Sequence, residues 1–426
     1  MDDPKRKLEL GGWRATAVLT VFCMHNAWTC WVFLNFTNIT PAATLLGVSR
    51  EDTSAITAAG WYGTLLSIPV VTLCPASWHR PILLMAGVLN VTAPVMRYVA
   101  ALPGSQSFGV IVITEGMNGI IFGVFTAWPA MFAALQWPAE RHTLVTALGA
   151  LSNYAGGALS APVMPLVAST AEDLLFTFKV QAILSVPLAL VLGVWLAFLP
   201  PYRSPAAAAE ASLGAQLRRS CCEPFAAALL LTVGLAVGLS LLLQGIVQEM
   251  LVGIGFSDVE AGYANCVYQS ASAVLGVVLG SQLTTVASLV PSLHLLHGLS
   301  AVSFLALSAV CASLLAAGRA AFAAAPALML GAMTALGASL MGMLPVALQL
   351  AVGRVHAPEN VVCGLIYMIA MVIAASLTTV VSSLNGGRDW VLLAALLAAE
   401  LVGYFVIVPA LDCERAAARS ARGALY

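Results

Sequence analysis

The side chains in this sequence that could do chemistry are hydrogen-bonding and aromatic residues set at helical spacing within long apolar blocks. Ser240, Gln244 and Gln248 recur every four residues, which lays three polar groups along one stripe of a leucine-rich helix. Asn265, Tyr268 or Gln269, and Ser272 repeat the pattern further on. His25, Trp28 and Thr29 share a face, flanked by Asn26 and Trp31, and Asn153 and Tyr154 precede Gly156, Gly157, Pro162 and Pro165. Polar groups in hydrocarbon are costly, so they face a protein interior or a water-filled path. A stripe of amides beside aromatic rings suits the binding of an organic cation or a flat heterocycle, by ring-face attraction and stacking. The competing reading of the His25 face is a packed interface with His25 bonded to a neighbouring helix. His25, Trp28, Trp31, Asn153, Tyr154, Gln244, Gln248, Gln269 and Tyr367 are the candidate solute-binding residues.

Three carboxylates, Glu115, Glu249 and Glu400, lie nearest the apolar phase. Glu115 and Glu400 are the candidates for carrying a coupling proton, whereas Glu249 falls at a helix end where it is solvated. His294 and His297, three residues apart, are too few for a metal site. No nucleophile elbow, phosphate-binding glycine loop or membrane-enzyme histidine motif occurs, so no enzyme, cofactor or metal is expected.

The elements that must hold these residues follow from composition. Hydrophobic residues make up 60% of the 426 and charged residues 9%, against roughly a quarter charged in a soluble domain. So few charges cannot cover a water-soluble surface, and nothing points to nucleic acid. Breaking the apolar blocks at charges, prolines and polar runs predicts twelve spans, at 13–37, 54–76, 80–101, 108–135, 143–168, 174–199, 225–250, 261–284, 288–317, 322–351, 361–384 and 390–411. The fold class is therefore an all-α membrane protein of twelve transmembrane helices in a 6+6 major facilitator architecture. A cytoplasmic segment 1–12 leads into an N-terminal bundle 13–199. A polar linker 200–224 joins it to a C-terminal bundle 225–411, followed by a tail 412–426. No sequence repeat between the halves is visible.

Orientation follows from Lys and Arg. With the N-terminus inside, thirteen fall on the cytoplasmic side and five (Arg50, Arg97, Lys179, Arg319 and Arg388) on the other, which places both termini in the cytoplasm. The basic start, Lys5 to Lys7, precedes a block too long for a cleaved signal, so it reads as a retained first helix. Sequons at Asn35 and Asn38 fall near the first outside loop, Asn35 close to the membrane, and the match at Asn90 lies inside a span. Nine cysteines show no disulfide framework; Cys221 and Cys222 suit palmitoylation or stay as plain thiols.

Several stretches carry a family likeness. They are Asn26-Ala27-Trp28, Trp137-Pro138-Ala139-Glu140-Arg141 leading to Ser152 through Gly157, Gly255 through Gly262, Pro345 through Val352, and Pro358-Glu359 with Gly364-Leu365. Together they resemble the feline leukaemia virus subgroup C receptor family within the major facilitator superfamily. The resemblance implies transport of small organic metabolites: choline and ethanolamine, a contested heme export role, and pyridoxine in the lysosomal branch called disrupted in renal carcinoma, to which the fifth span and the Gly-Phe-Ser segment are closer. Choline-binding members use an aromatic residue in the first span, glutamines in the fifth and eleventh, and a tyrosine in the seventh. The corresponding places here hold Cys30 or a neighbouring Trp, Tyr154, Met371, and Leu239 or Ser240. The loop Pro75 to Pro81 keeps only Arg80 of the superfamily's basic pattern.

The expected protein is an alternating-access carrier of a small organic solute, embedded in the lipid bilayer as a monomer, with the plasma membrane as its first address and an endolysosomal membrane as the second. A non-transporting receptor or sensor on a carrier fold is the rival reading.

Overall fold

The computed structural model describes residues 4–35, 47, 50–74, 78–105, 107–137, 139–198, 222–283, 286–318, 324–355, 359–383, 388–409 and 412–413. The linker expected at 200–224 and the tail therefore lie almost wholly outside the described residues, as does Asn38. Among those described, the elements are helices. They are α1 (Pro4–Phe33), α2 (Arg50–Leu73), α3 (His79–Ala101), α4 (Phe108–Ala127), α5 (Pro129–Gln136), α6 (His142–Val167), α7 (Ala171–Phe198), α8 (Pro224–Gly253), α9 (Asp258–Gln282), α10 (Val286–Ala317), α11 (Ala325–Leu336), α12 (Leu344–Arg354), α13 (Glu359–Ser383) and α14 (Arg388–Val402).

Twelve crossings result, because α4 with α5 and α11 with α12 each form one span. Pro129 interrupts the fourth span after Trp128, and Pro345 restarts the tenth after a π-helical turn at Gly337–Met341. A proline has no N–H to donate and its ring crowds the preceding turn, so the ladder must break or rewind there. A second π turn, Gly403–Ile407, closes the twelfth span. Nine helical stretches, one of them Ala325–Arg354 taken through its π turn, are long and apolar enough to cross a membrane, among the described residues. The α6 and α9 helices, the fifth and eighth spans, fall short of that hydropathy; both are rich in small and polar residues and pack on each other.

The pairing of helices repeats between halves. In the first half α2 packs on α4, α1 on α6, α3 on α7 and α1 on α4; in the second α9 packs on α11, α8 on α13, α10 on α14 and α8 on α12. Each second-half pair is the first-half pair moved on by six spans. Between halves the main contacts are α6 with α9 and α2 with α13, again related by the same exchange. The repeat that residue identities conceal is explicit in the contacts, and the fourth and tenth spans, which correspond, are the two broken in the middle.

Glycines set the approach distances. A Cβ on Gly156 would sit 1.8 Å from the Ala27 carbonyl oxygen, and one on Gly262 would sit 2.4 Å from that of Ala161, across the α6–α9 interface. Small residues of this kind let helix backbones touch in lipid, where apolar side chains gain nothing by leaving the tails. Replacing Gly156 by alanine is expected to lower stability by about 1–3 kcal/mol, the usual penalty of overpacking. Gly193→Ala, at a position with open space around it, should leave the melting temperature unchanged; equal melting of the two variants in detergent would contradict this packing.

Candidate functional site

The polar stripes of α8 and α9 converge on each other and on the N-terminal half. Gln244 Nε2 donates to Gln269 Oε1 at 2.8 Å and approaches the Cys30 sulfur on α1 at 3.5 Å. Gln269 Nε2 donates to Asn265 Oδ1 at 3.0 Å, and Asn265 Nδ2 donates to the Gln244 carbonyl at 3.3 Å. Gly157 on α6 makes room for this network, since a Cβ there would lie 1.9 Å from Gln269 Oε1. One turn back along α8, Ser240 and the Tyr268 hydroxyl are hydrogen-bonded at 2.8 Å. The Tyr154 hydroxyl lies within the electrostatic reach of Tyr268, Tyr367 and Cys30. Trp61 of α2 completes the wall, its ring 3.4 Å from where a Cβ on Gly245 would stand.

This cluster draws on α1, α2 and α6 from one half and α8, α9 and α13 from the other, and all its side chains are buried. Four of its polar atoms have no hydrogen-bond partner: Gln244 Oε1, Asn153 Oδ1, the Tyr367 hydroxyl and the Trp61 indole nitrogen. Buried polar atoms are ordinarily paired, and each one left unpaired costs about 1–3 kcal/mol. A concentration of them at the contact between halves gives both acceptors and donors for a polar guest. No Asp, Glu, Lys, Arg or His is among the residues that form it.

Of the residues expected to bind solute, Asn153, Tyr154, Gln244, Gln269 and Tyr367 belong to this cluster. His25 and Gln248 have their partners elsewhere. His25 is buried inside the N-terminal half, with Nδ1 2.9 Å from the Val21 carbonyl, Nε2 2.8 Å from that of Leu188 on α7, and its ring stacked on Phe125. This is the helix-packing alternative weighed for it. Gln248 turns to the α8–α9 junction, donating to the Asp258 carbonyl at 3.2 Å. Trp28 and Trp31 are half-buried on α1, and the Trp31 carbonyl accepts from Ser160 at 3.5 Å.

Neither candidate carboxylate touches the cluster's polar network. Glu115 on α4 is paired with Arg97 on α3, and Asn118 donates to the same oxygen at 3.4 Å. Arg97 also donates to the Val32 carbonyl at 2.9 Å and lies over the Phe178 ring. The charge count had placed Arg97 outside the membrane; it is fully buried, because Glu115 and a carbonyl satisfy it. Glu400 on α14 meets His297 on α10. His294 and His297 both meet the rings of Tyr404 and Phe405, His297 buried and His294 exposed, and no group of three possible metal ligands occurs among the described residues. Asn35 is buried and donates to Gln181 at 2.9 Å, which closes that sequon to modification in this conformation. The described cysteines are all free.

Trp61, Cys30, Ser240, Asn265 and Tyr268 are the cluster members absent from the candidate set. Asn265 and Tyr268 carry the helical spacing of the second stripe. Trp61 has only Thr57 and Thr64 at helical spacing and no amide near it in sequence, and the adjoining Gly60, which admits Phe33 beside the indole, hints at close packing.

The stretches that carry the family likeness divide by role. Gly255, with φ +98°, and Phe256, whose N–H bonds the Leu251 carbonyl at 3.1 Å, end α8, and Ser257 with Glu260 forms a capping box that starts α9. Ala139–Arg141 is a short 3-10 helix ahead of α6, with Arg141 over the Trp137 ring and His142 Nε2 2.8 Å from the Trp137 carbonyl. Ser152 to Gly157 mixes packing with the site: Asn26 donates to Ser152 Oγ at 3.0 Å, while Asn153, Tyr154 and Gly157 border the cluster.

No protein-family model matches the sequence, and no curated protein does. Solved structures do match in shape. A D-xylose-proton symporter superposes with a TM-score of 0.68 at 13% identity, over 92% of this chain and 97% of that one. The major facilitator superfamily proton:xylose symporter bound to 6-bromo-6-deoxy-D-glucose gives 0.67 at 13% identity, over 93% and 96%. A major facilitator superfamily transporter, FucP, in the outward conformation gives 0.64 at 13%, over 92% and 98%. The fold is therefore that of the major facilitator superfamily, and the chain is a multi-pass integral membrane protein.

The Arg97–Glu115 pair yields a direct test. Arg97→Met alone leaves a buried carboxylate without its cation and should destabilise by about 3–5 kcal/mol, whereas the double variant Arg97→Met/Glu115→Leu should recover most of that loss. Thermal unfolding of the three purified proteins measures it, and additive losses would contradict a paired role.

Proposed function

We propose that this protein is an alternating-access transporter of a small, hydroxyl-bearing organic solute, bound between the two six-helix units by the amide, hydroxyl and aromatic cluster. The observation that carries the reading is the set of unpartnered buried atoms on Gln244, Asn153, Tyr367 and Trp61 at the contact between the halves. Binding there is a matter of hydrogen bonding and stacking, since the cluster brings no ionised side chain. That favours a pyridoxine-like ring or an amino alcohol over heme, whose carboxylates and iron would find neither a cation nor an available imidazole. His25, the nearest histidine of the first span, has both ring nitrogens engaged.

The working units are the bundles 13–199 and 225–411, joined by the linker 200–224. Rocking about the α6–α9 and α2–α13 contacts would open the cluster to each side in turn. The Lys and Arg distribution supports both termini in the cytoplasm. Glu115, held by Arg97, has a structural role rather than a proton-carrying one on this reading.

Uptake into proteoliposomes of radiolabelled pyridoxine, choline, ethanolamine, heme and D-xylose, each assayed separately, tests the proposal. Specific, saturable flux is expected for pyridoxine or an amino alcohol. Gln269→Ala and Tyr367→Phe should each raise KM about fivefold, the effect of losing one hydrogen bond of about 1 kcal/mol. Absence of flux for all five would remove the solute class; flux insensitive to both substitutions would remove the site.

A further inference from the structure

A groove of about 360 Å³ runs between the third and sixth spans, away from the solute cluster. Its walls include Leu84, Val88 and Val91 of α3 and Val186, Leu190 and Gly193 of α7. The volume falls within the ~300–1,000 Å³ of small-molecule sites. Leu84, Val88, Val186 and Leu190 are exposed, so the groove opens outward from the bundle. Of the nine apolar stretches long enough to cross a membrane, that of α7 is the least buried inside the protein. Lipid is what such a surface meets.

The groove exists because α3 and α7 pack together with little side chain between them. A Cβ on Gly193 would meet nothing within 4 Å, and one on Gly87 would stand 3.1 Å from Leu192 Cδ2. The one hydroxyl in the lining, that of Thr92, donates to the Val88 carbonyl at 2.9 Å. The walls therefore offer no free polar side chain, and what fits them is hydrocarbon.

One end of the groove is different. Arg80, Leu84, Val88 and Val91 follow one another at three and four residues along α3, so Arg80 continues the line of the groove towards the start of that helix. Arg80 is half-buried and makes no hydrogen bond or ion pair among the described residues, its Nε included. Trp78, exposed just before α3, stands at the level where aromatic rings mark a membrane boundary. At 1.5 Å per residue, Arg80 and Thr92 are separated by about 18 Å along the helix axis. Half of a hydrocarbon core of ~30 Å is about 15 Å, so the groove with Arg80 at its mouth has the depth of one leaflet. No like charge opposes an anion there: α3 has no acidic residue, and Glu172 and Asp173 of α7 lie at its opposite end.

We propose that the α3–α7 groove binds an anionic phospholipid, with one acyl chain between the two spans and the phosphate held by Arg80. A guanidinium matches phosphate oxygens with two parallel N–H bonds. A zwitterionic lipid brings its own ammonium to compete for the same phosphate, which is why the anionic headgroup is preferred. The Lys and Arg distribution puts this lipid in the cytoplasmic leaflet. Both walls belong to the N-terminal body, so the site does not rest on the transporter reading.

Native mass spectrometry of the full chain, released from nanodiscs of equal parts phosphatidylglycerol and phosphatidylcholine, tests the site. The wild type should retain one phosphatidylglycerol about fivefold in preference to phosphatidylcholine, the weight of one basic residue at a membrane surface. Arg80→Gln should bring the ratio to about one, and Arg80→Lys should keep most of the preference. Arg141→Gln, a cation outside the groove, should leave it unchanged. Gly193→Leu, which fills the groove, should lose the retained lipid of both kinds; if that variant does not fold, Val88→Trp closes the groove from its exposed lip. Equal retention of the two lipids by the wild type, a preference kept in Arg80→Gln or lost equally in Arg141→Gln, or lipid retained after filling would overturn the proposal. A dimer that disappears on Gly193→Leu would also overturn it, by assigning the groove to a second copy of the chain.

Discussion

Hydrocarbon offers no partner to a polar group, and this constraint organises the molecule: a strongly polar side chain in a span needs a partner from the protein or from a guest. Arg97 shows how far one residue can carry the consequence. Its guanidinium engages Glu115 on α4 and a carbonyl of α1, and lies over a ring of α7, so one cation on α3 touches three other spans. His25 ties α1 to α7, and Asn26 ties α1 to α6 through the Gly149 carbonyl and Ser152. Together these bonds join five of the six N-terminal spans, and Thr64 adds α2 by donating to the Gly119 carbonyl on α4, so the polar groups of this unit mostly do not depend on the other half.

The contact between the halves is built differently. Where α6 meets α9, glycine and alanine bring backbones together, with Gly262 on Ala161 and Gly280 on Ala147 and the Thr143 carbonyl. Few of these contacts are directional, so separating the two surfaces costs dispersion and little hydrogen bonding. The exception is the Gln244–Gln269–Asn265 network, which reaches across to Cys30 and fits against Gly157. An interface that is smooth except at one polar cluster is what two rigid bodies need in order to move over a guest held at that cluster. The correspondence of broken spans, the fourth at Pro129 and the tenth at its π turn, puts one deformable crossing in each body.

Hydropathy made the spans and the central division legible, because those depend on composition over ~20 residues, which averages out local accidents. The amide stripe of α8 was legible for the same kind of reason: Ser240 and Gln244 at four-residue spacing among leucines have one face to share. Gln248, on the same stripe, was not, because it lies a turn nearer the helix end, where the Asp258 carbonyl at the start of α9 supplies its partner. Arg97 escaped because a charge count treats every cation as solvated, and only the three-dimensional pairing with Glu115 reverses that. Trp61 escaped because an apolar ring buried in an apolar span has no signature until the helix that it touches is known. The Gly255 to Glu260 stretch carries the family likeness for a reason sequence cannot separate from function: ending one helix and capping the next needs a glycine at positive φ and a Ser–Glu pair, whatever the protein carries.

The placement of charge follows from the same constraint applied to a moving part. An ionised side chain at the contact between the halves would face water when a path opens and hydrocarbon when it closes, and the difference in solvation would weigh against one of the two states. Amides and hydroxyls avoid this, since their desolvation is smaller and a guest can replace the lost water. The groups that do ionise lie within one half: Arg97 and Glu115 among α1, α3, α4 and α7, and His297 and Glu400 between α10 and α14. The first pair, braced by a carbonyl and an aromatic ring, keeps its form as the bodies move. The second joins α10 to α14, with Tyr404 stacked on the His297 ring and His297 Nδ1 at the Leu293 carbonyl, so it moves as part of the C-terminal body.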